Sequence, residues 1–512
     1  MSSGRGKEEL TRRQFMKRGS LTATGVLGGY LLSSRQEAWS AESGRRRPNV
    51  LFIITDDQNS DTIGCWGNKV LTPNIDSLAR DGVRFTRAYT STSICTPSRY
   101  VCLTGQYAGR CTAPEFMRGN PPGAQSEVTF NTRLEPGGYN VGRVLHDAGY
   151  VTGAVGKWHT GSGGSFRKYP PNADMNDPAV ARILAENQAR MIEQIKQRGF
   201  DYAATIYWGN LADHKLDALD FIEQNKNKPF YLHMATTLHH SPSPLKSIGA
   251  DERITPAGLL PEPLKVMPPR TGIKERLRAA GIPESTAHCT WLDDGIGAVL
   301  KKIDDLGLAG DTAVFFFSDN CTFGKSTCYD GGARTPTLMR WKGHIRPGQV
   351  CDELVQNIDF VPTILDICGV KPAKEMRLDG RNLVPLLTGK ETKWRDALFF
   401  ELGHTRAVCT KKWKYIALRF PRQMQEAIKT GKIKPPFYCT NVAVDLQIAA
   451  SKRYPHYGDA DQLYDLENDP GEKVNLAQDP KYAETLKEMK RRLSEWLATF
   501  PRPFAEFTKP SV

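Results

Sequence analysis

Short runs of consecutive apolar residues recur along the first three quarters of the chain. They alternate with longer segments in which the apolar residues follow helical spacing. A run of about four to eight apolar residues without alternation is typical of a strand that is buried on both faces of a sheet. The pattern predicts strands at residues 48–54, 150–155, 230–235 and 312–317, and helices at residues 72–82, 139–148, 179–197, 211–225 and 288–306.

Strands and helices that alternate at this spacing predict an α/β fold. We expect one large, mostly parallel but mixed sheet with helices on both faces, over residues 48–395. Beyond this point the pattern predicts a smaller C-terminal α+β subdomain, over residues 396–512. Its expected parts are short antiparallel strands at residues 397–402, 406–410 and 414–418, a turn-rich segment at 464–471 and an amphipathic helix at 481–500.

The first 40 residues have the pattern of a targeting segment. Arg12 and Arg13 precede a mildly apolar stretch at residues 19–32, and a small-residue cleavage pattern follows at residues 38–40. This order is typical of a twin-arginine export signal, which predicts a periplasmic or extracellular protein. A disordered basic tail is the alternative. No apolar run approaches the roughly 20 residues that a membrane-spanning helix requires, so we expect no membrane span.

The formal net charge of +13 falls to about +9 when residues 1–40 are removed. A basic surface attracts an anionic substrate, although it can equally serve solubility alone. The chain has 11 cysteines and no C-x-x-C pair, which argues against zinc-ribbon and thioredoxin-like sites. Disulfides are possible after export, and the odd number leaves at least one cysteine unpaired.

Oxygen-bearing side chains follow two of the predicted strands. Asp56 and Asp57 come after the first strand, and Asp319 and Asn320 come after the strand at residues 312–317. Ligands in open α/β sheets collect at the carboxyl ends of the strands, and carboxylate and amide oxygens suit Ca²⁺ or Mg²⁺. Either acidic pair alone is more typical of a helix cap or a solvated loop. Together they predict a site for a divalent cation.

Basic side chains occupy similar positions. Lys157 and His159 follow the strand at residues 150–155, His240 follows the strand at 230–235, and Lys325 lies five residues beyond Asn320. Each of them alone is more typical of a structural or solvated residue. Converging beside a bound cation, they would bind a tetrahedral oxyanion, with histidine positioned to move protons.

Residues 95–99 read Cys-Thr-Pro-Ser-Arg, and Leu-Thr-Gly follows at 103–105. This stretch resembles the C-x-P-S-R signature of the type I sulfatases, an arylsulfatase-like family of the alkaline phosphatase superfamily. The resemblance therefore implies the alkaline-phosphatase-like fold and a sulfuric ester hydrolase. It extends to segments spread over most of the chain, at residues 48–57, 72–79, 156–159, 291–294, 318–320, 329–332 and 463–476.

The resemblance implies that Cys95 is oxidised to formylglycine by a formylglycine-generating enzyme, which would be a partner during maturation. The hydrated aldehyde would offer one oxygen for attack on sulfur and a second to drive release of the sulfate. The implied ligands of one Ca²⁺ per chain, or alternatively Mg²⁺, are Asp56, Asp57, Asp319, Asn320 and the modified Cys95.

The remaining implied roles belong to basic residues. Arg99 would hold the diol, and Lys157 and Lys325 would grip sulfate oxygens. His240, together with Lys325, would protonate the departing alcohol, with His239 as the alternative if the register is shifted by one. His159 would take the proton from the second hydroxyl group.

The expected substrate is a sulfate ester, with a sulfated carbohydrate preferred, and no nucleic-acid partner is expected. A phosphodiesterase or phosphonate monoester hydrolase of the same superfamily is the alternative enzyme. A sulfated-polysaccharide binding protein with a dead site is the alternative from another class. The chain departs from the family pattern at Cys321, where glycine is common.

Overall fold

The computed structural model describes residues 46–161, 167–168, 177–204, 214–240, 248–249, 251–255, 258–259, 262–263, 265–434, 438 and 444–508. From Arg46 onward the chain packs as one compact unit. The predicted export signal at residues 1–40 lies outside the described residues. Among the described helices, none is both long enough and apolar enough to cross a bilayer.

The strands fall into one large sheet, one four-stranded sheet and two short pairs. In chain order they are β1 (Asn49–Thr55), β2 (Val83–Phe85), β3 (Ala88–Tyr89), β4 (Val151–Gly156), β5 (Tyr202–Ala204), β6 (Phe230–Ala235), β7 (Ile254–Thr255), β8 (Gly258–Leu259), β9 (Thr312–Ser318), β10 (Thr337–Arg340), β11 (Gln349–Cys351), β12 (Val355–Gln356), β13 (Leu398–Leu402), β14 (Thr405–Cys409), β15 (Trp413–Leu418) and β16 (Asp461–Asp465).

The α-helices connect these strands and cover the large sheet. In chain order they are α1 (Pro73–Arg80), α2 (Cys95–Thr104), α3 (Pro114–Gly119), α4 (Val141–Asp147), α5 (Pro178–Lys196), α6 (His214–Asn225), α7 (Ile273–Ala279), α8 (Ala287–Asp305), α9 (Asp330–Ala333), α10 (Phe360–Ile367), α11 (Val384–Leu387), α12 (Arg422–Lys429), α13 (Val444–Arg453) and α14 (Ala483–Leu497).

The large sheet has eight strands in the order β11-β2-β10-β9-β1-β6-β4-β5. Strand β10 runs antiparallel to both of its neighbours, and every other pairing is parallel. The prediction of a mixed, mostly parallel sheet is therefore confirmed. The central strand β1 pairs with β9 in a register that ends with Thr55 opposite Ser318. Because the two strands end together, the residues that follow them emerge side by side.

Strand β1 is buried on both faces, as its unbroken apolar run predicts. Leu51 and Ile53 pack on one face with apolar residues of α1, α6 and α8. Phe52 faces the opposite layer, where its ring centroid lies 5.5 Å from that of Phe360 in α10. The sheet is therefore the middle layer of three, which fixes its carboxyl edge rigidly.

The second sheet is antiparallel, in the order β13-β14-β15-β16, and α14 packs against it through Trp496, whose ring stacks on Phe399. The predicted smaller α+β part with an antiparallel sheet and a helix is thus present, beginning at Leu398. The turn-rich segment was expected to start at residue 464, but strand β16 continues to Asp465. Its sequence, Asp-Gln-Leu-Tyr-Asp, has little apolar periodicity and forms a strand through its pairing with β15.

Disulfides, which the sequence allows, are absent among the described residues. The ten described cysteines are all free thiols, and Cys439 lies outside the described part of the chain. Nine of the ten are buried, and several of these, such as Cys102, Cys111 and Cys368, pack as small apolar side chains in the core.

A buried ion cluster joins the second sheet to helix α9. The ammonium group of Lys414 in β15 is completely buried and contacts the carboxylate of Asp330, and it lies 2.9 Å from Oε1 of Glu472. The backbone N–H of Asp330 donates to Oε2 of Glu472 at 2.7 Å. Burial opposes the charged form of Lys414, but the two carboxylates outweigh it and raise its pKa well above the ordinary value.

We expect Lys414→Met to lower the free energy of unfolding by about 3–5 kcal/mol, because two carboxylates would then stay buried without their counter-charge. Denaturant-induced unfolding followed by circular dichroism measures the loss. Lys412→Met is the matched control: that side chain is 44% exposed and lies 3.3 Å from Glu467, so its removal should cost less than about 1 kcal/mol. Equal losses in the two variants would contradict the stabilising role of the buried cluster.

Candidate active site

The predicted site residues gather at the carboxyl edge of the large sheet. Most of them follow the end of a strand, and two lie on helix α2. Asp56 and Asp57 follow β1, and Asp319 and Asn320 follow β9. The other members are Cys95 and Arg99 on helix α2, Lys157 and His159 after β4, His240 after β6, and Lys325 after the turn at Thr322–Gly324.

Three carboxylates and the Cys95 thiol form the centre of the site. The ligand-type atoms of Asp56, Asp57, Asp319 and Cys95 all lie within 4.8 Å of one another. Sγ of Cys95 is 3.5 Å from Oδ1 of Asp56 and 3.8 Å from Nδ2 of Asn320. The four residues that sequence analysis assigned to a cation therefore meet at residue 95.

Two observations show that this cluster fits a hard divalent cation. First, Asn320 contacts the cluster through Nδ2, which donates to Oδ1 of Asp319 at 2.9 Å, and its buried Oδ1 has no hydrogen-bond partner among the described residues, so rotation of the amide would bring an unpaired oxygen to the cluster. Second, burial and the neighbouring Asp56 carboxylate raise the pKa of Asp319 to about 6, so negative charge is concentrated there. The donors other than the thiol are oxygens, which suits Ca²⁺ or Mg²⁺ better than zinc.

Three basic side chains surround the carboxylates and are themselves buried. Nζ of Lys157 lies 2.5 Å from Oδ2 of Asp56, and Nζ of Lys325 lies 2.6 and 2.7 Å from the two carboxylate oxygens of Asp57. Arg99 donates from Nε to Oδ2 of Asp319 at 2.9 Å. In this site each buried carboxylate therefore lies next to a buried basic side chain.

This arrangement sets the protonation of the central groups. Burial acts to raise the pKa of Asp56, but Lys157 and Arg99 outweigh it and hold that pKa far below the ordinary value. Burial raises the pKa of the Cys95 thiol to about 12, and the two nearby lysines offset the effect only in part. The unmodified thiol is therefore protonated at neutral pH in this environment.

The histidines lie at the periphery of the site. Nε2 of His240 is 3.9 Å from Oδ2 of Asp57, whereas the ring of His239 faces His288 at a centroid distance of 4.5 Å. Of the two register alternatives, the structure thus places His240 at the site. His159 stacks on Phe130 at 5.5 Å, and burial, followed by the charge of Lys157, lowers its pKa well below the ordinary value.

Local backbone geometry directs these groups inward. Gly156 ends strand β4 with φ +93°, and a Cβ atom there would lie 1.8 Å from the carbonyl oxygen of Ala235. Only glycine fits this position, which turns the chain so that Lys157 enters the site. Asp57 and His159 also have left-handed backbones, with φ near +58° and +57°. Non-glycine residues in this region are uncommon and tend to cluster at functional sites.

One residue that sequence analysis missed holds the segment carrying Cys95. Asn357, completely buried, accepts a hydrogen bond from the backbone N–H of Ser91 at 3.0 Å and donates to the carbonyl oxygen of Ser98 at 3.2 Å. It thereby links the loop before helix α2 to the helix itself. Its role depends on a contact more than 250 residues away in sequence, and no local motif indicates it.

A cleft of about 380 Å³ adjoins the site along the same edge of the sheet. The segment from Cys321 to Phe323 forms part of its wall, and Lys325 just beyond it belongs to the site. Phe323 is 45% exposed at this wall, with the guanidinium of Arg453 over its ring at 4.7 Å. Trp66, Arg84 and Arg334 also line the cleft. The cleft is therefore aromatic and charged, with Asp61 and Asp330 in its lining beside the two arginines.

Comparison with known proteins agrees with this geometry. Residues 48–370 match the Sulfatase family model, and residues 319–430 match the model described as N-sulphoglucosamine sulphohydrolase, C-terminal. Human arylsulfatase A is 28% identical, with 84% of this chain and 83% of that protein covered. The ulvan-active sulfatase of Formosa agariphila is also 28% identical, with 88% of this chain and 80% of that protein covered.

Solved structures share the fold. A Bacteroides thetaiotaomicron structure from work on glycosaminoglycan metabolism matches with a TM-score of 0.61 and 22% identity, over 88% of this chain and 99% of that one. The phosphonate monoester hydrolase of Silicibacter pomeroyi matches with a TM-score of 0.56 and 20% identity, over 88% and 96%. The Sulfatase model spans more than half of the chain and includes every site residue described above. The chain therefore belongs to the sulfatase family of sulfuric ester hydrolases.

Proposed function

We propose that this sulfatase hydrolyses sulfate esters of an anionic carbohydrate, using a formylglycine made from Cys95 and one divalent cation, Ca²⁺ in preference to Mg²⁺. The observation that carries the proposal is the position of Cys95. Its Sγ lies at a buried cluster of three carboxylates, with Arg99, Lys157 and Lys325 buried around the same cluster. A thiol has no evident structural purpose at such a polar place, whereas a modified residue that binds a cation and a sulfate group does.

The cation and the formylglycine would supply different parts of the chemistry. A bound cation polarises sulfate oxygens and lowers the pKa of a hydroxyl group beside it. A formylglycine supplies a hydrated aldehyde, which has two hydroxyl groups where serine has one. Asp56, Asp57 and Asp319 would hold the cation, because their carboxylate oxygens converge there. Asn320 would join them after rotation of its amide group, since its Nδ2 faces Cys95 and Asp319 while its Oδ1 has no hydrogen-bond partner among the described residues.

The lysines and Arg99 would bind the sulfate group and the diol, and the histidines would move the protons of the second hydroxyl group and of the leaving alcohol. Lys157 and Lys325 provide buried positive charge on two sides of residue 95, and Arg99 is fixed by Asp319. The side chain of His240 is 33% exposed, so it can meet a leaving alcohol at the mouth of the site. His159 is neutral at neutral pH because burial lowers its pKa, so it can accept a proton.

The adjoining cleft supports a carbohydrate substrate. An exposed aromatic ring suits the apolar face of a sugar, and arginines suit its sulfate or carboxylate groups. Phe323 and Arg84 offer these two features on the same edge of the sheet as the site. We infer that the cleft binds a sugar residue next to the one that carries the scissile sulfate.

The proposed setting follows from the N-terminal sequence. We infer export of the folded protein through the twin-arginine pathway, with the periplasm or the cell exterior as the place of action. A formylglycine-generating enzyme would then act on Cys95 before the chain folds and is exported, since Cys95 is buried in the folded protein.

We expect Cys95→Ala to lower kcat/KM by about 10⁴-fold or more, because loss of a nucleophile removes the reaction path itself. Turnover of an aryl sulfate by the purified protein measures the change. Cys102→Ala is the matched control, a buried cysteine of the same helix whose thiol contacts Asn357 and lies outside the cluster. Equal activity of Cys95→Ala and the natural chain would refute the nucleophile assignment.

Peptide mass spectrometry tests the modification directly. The tryptic peptide of residues 88–99 should be lighter by about 18 mass units than its cysteine form, as replacement of the thiol by an aldehyde requires. The protein should be taken from its native host or from cells that contain a formylglycine-generating enzyme. A wholly unmodified peptide in the native host would favour a binding protein with a dead site.

Paired assays separate the two enzyme classes. We expect the ratio of kcat/KM for an aryl sulfate to that for the matching aryl phosphonate monoester or phosphodiester to exceed about 10². The leaving group is the same in each pair, so the ratio reports the transferred group alone. A ratio below one would make the chain a phosphorus ester hydrolase within this fold.

Phe323→Ala tests the carbohydrate cleft. We expect KM to rise about 3- to 10-fold for a sulfated oligosaccharide, a loss of roughly 1 kcal/mol, and to stay unchanged for a small aryl sulfate. Val350→Ala is the control, since Val350 is 55% exposed but lies outside the residues lining the cleft. Equal changes on both substrates, or none on either, would contradict the assignment.

A further inference from the structure

A second group of potential metal ligands lies beside the site and takes no part in the proposed hydrolysis. It consists of His239, which follows strand β6, and of His288 and Cys289, which lie in the first turn of helix α8. Each offers one ligand atom, and these atoms all lie within 4.8 Å of one another. The cluster therefore connects two elements that are distant in sequence.

One distance within the group, that between the thiol of Cys289 and the imidazole of His288, matches a tetrahedral metal site. Sγ of Cys289 lies 3.5 Å from Nε2 of His288. A zinc ion with Zn–S near 2.3 Å and Zn–N near 2.0–2.1 Å at tetrahedral angles holds its nitrogen and sulfur ligands about 3.6 Å apart. The pair thus already has the separation that a shared zinc ion would impose.

The remaining histidine presents a free ligand atom. Nε2 of His239 is buried and has no hydrogen-bond partner among the described residues, and its ring meets that of His288 at 4.5 Å and 80°. A buried polar atom without a partner is costly in a folded protein. Coordination to an ion would satisfy it.

The chemistry of the donors sets this cluster apart from the carboxylate site. Two imidazole nitrogens and a thiolate select zinc or a similar borderline transition metal, whereas the carboxylate site selects a hard cation. We propose that His239, His288 and Cys289 form a transition-metal site with zinc as its natural occupant. A water molecule would fill the fourth position.

The surroundings favour a neutral imidazole and a nearby positive charge, and they keep the thiol protonated until a metal ion binds. Burial lowers the pKa of His288, which keeps the imidazole neutral and able to coordinate. Burial, and then the carboxylate of Asp61, raises the pKa of Cys289 to about 12, so binding must displace the thiol proton. Asp61 acts electrostatically on both residues and adds negative charge that favours a bound cation.

A metal ion at this site would affect the proposed hydrolysis by fixing the backbone next to His240. His239 directly precedes His240, and helix α8 is held by the core. Binding would therefore fix the segment that carries His240 relative to the sheet. The ion would have a positioning role and would not contact the substrate.

Metal loading of the full chain, expressed without a polyhistidine tag, tests the site. The protein is first saturated with Ca²⁺ and then loaded with Zn²⁺ or Co²⁺ and desalted. We expect one zinc ion per chain by elemental analysis, and a thiolate-to-cobalt charge-transfer band in the cobalt form. Failure of the natural chain to retain zinc in excess Ca²⁺ would overturn the proposal.

Two cysteine variants locate the ion. Cys289→Ser should lose the charge-transfer band and weaken zinc binding by at least about 10-fold, the effect of roughly 1.4 kcal/mol. Cys95→Ala should keep the charge-transfer band and the zinc affinity, because Cys95 belongs to the carboxylate cluster. Retention of the band in Cys289→Ser, or its loss in Cys95→Ala, would overturn the assignment.

X-ray absorption spectroscopy of the zinc-loaded natural chain gives a test that does not depend on how a variant folds. We expect one sulfur at about 2.3 Å and two imidazole nitrogens at about 2.0–2.1 Å. A shell of oxygen and nitrogen without sulfur would refute the site. These results are independent of sulfate hydrolysis, so failure of the zinc site would leave the proposed function standing.

Discussion

The burial of opposite charges around residue 95 is the constraint on which the rest of this site depends. Three carboxylates lie within 4.8 Å of one another and of the Cys95 thiol, and burial of such a group without compensation would be prohibitive. Lys157, Arg99 and Lys325 provide that compensation, each through contacts to the carboxylates. The cluster can therefore exist in the folded chain before any cation binds, and the site is preorganised.

The sheet makes this arrangement possible because its central strands end at the same level. Thr55 lies opposite Ser318, so Asp56 and Asp319 emerge as neighbours. The backbone N–H of Asp319 donates to the carbonyl oxygen of Thr55 at 3.0 Å, which continues the pairing beyond the strands. The site is thus an extension of the sheet. Because the sheet is packed on both faces, the positions of the site residues are fixed precisely. Precision of this kind is what electrostatic catalysis requires, since misplaced charges stabilise a transition state poorly.

Much of the fold could be predicted from the sequence, because burial on both faces of a sheet leaves apolar runs along the chain. Prediction fails where an element or a contact depends on residues that are distant in sequence. The strands at Phe230–Ala235 and Thr312–Ser318 are buried on both faces, so their residues are mostly apolar and the strands are conspicuous in the sequence. Strand β16 is different, since three of its five residues are polar and it pairs with a distant strand. Helix α2 is buried along its whole length, so it lacks the polar face that would mark it as a helix in the sequence. Asp56 and Asp319 could be paired from strand ends alone. Asn357 and the His239–His288 contact could not, because long-range packing creates both.

The two histidines after β6 point to different clusters because their backbone is attached to the end of β1 at the same edge of the sheet. The backbone N–H of Asp56 donates to the carbonyl oxygen of Leu238, and the N–H of His239 donates to the carbonyl oxygen of Asp56. The chain therefore stays attached to the end of β1 through His239. Its two consecutive side chains leave in different directions, His240 towards Asp57 and His239 towards His288. One short segment thereby serves two donor sets, oxygen-rich on one side and rich in nitrogen and sulfur on the other. Two clusters of such different chemistry can lie close together without competing for the same ion, because hard and borderline cations distinguish oxygen from sulfur.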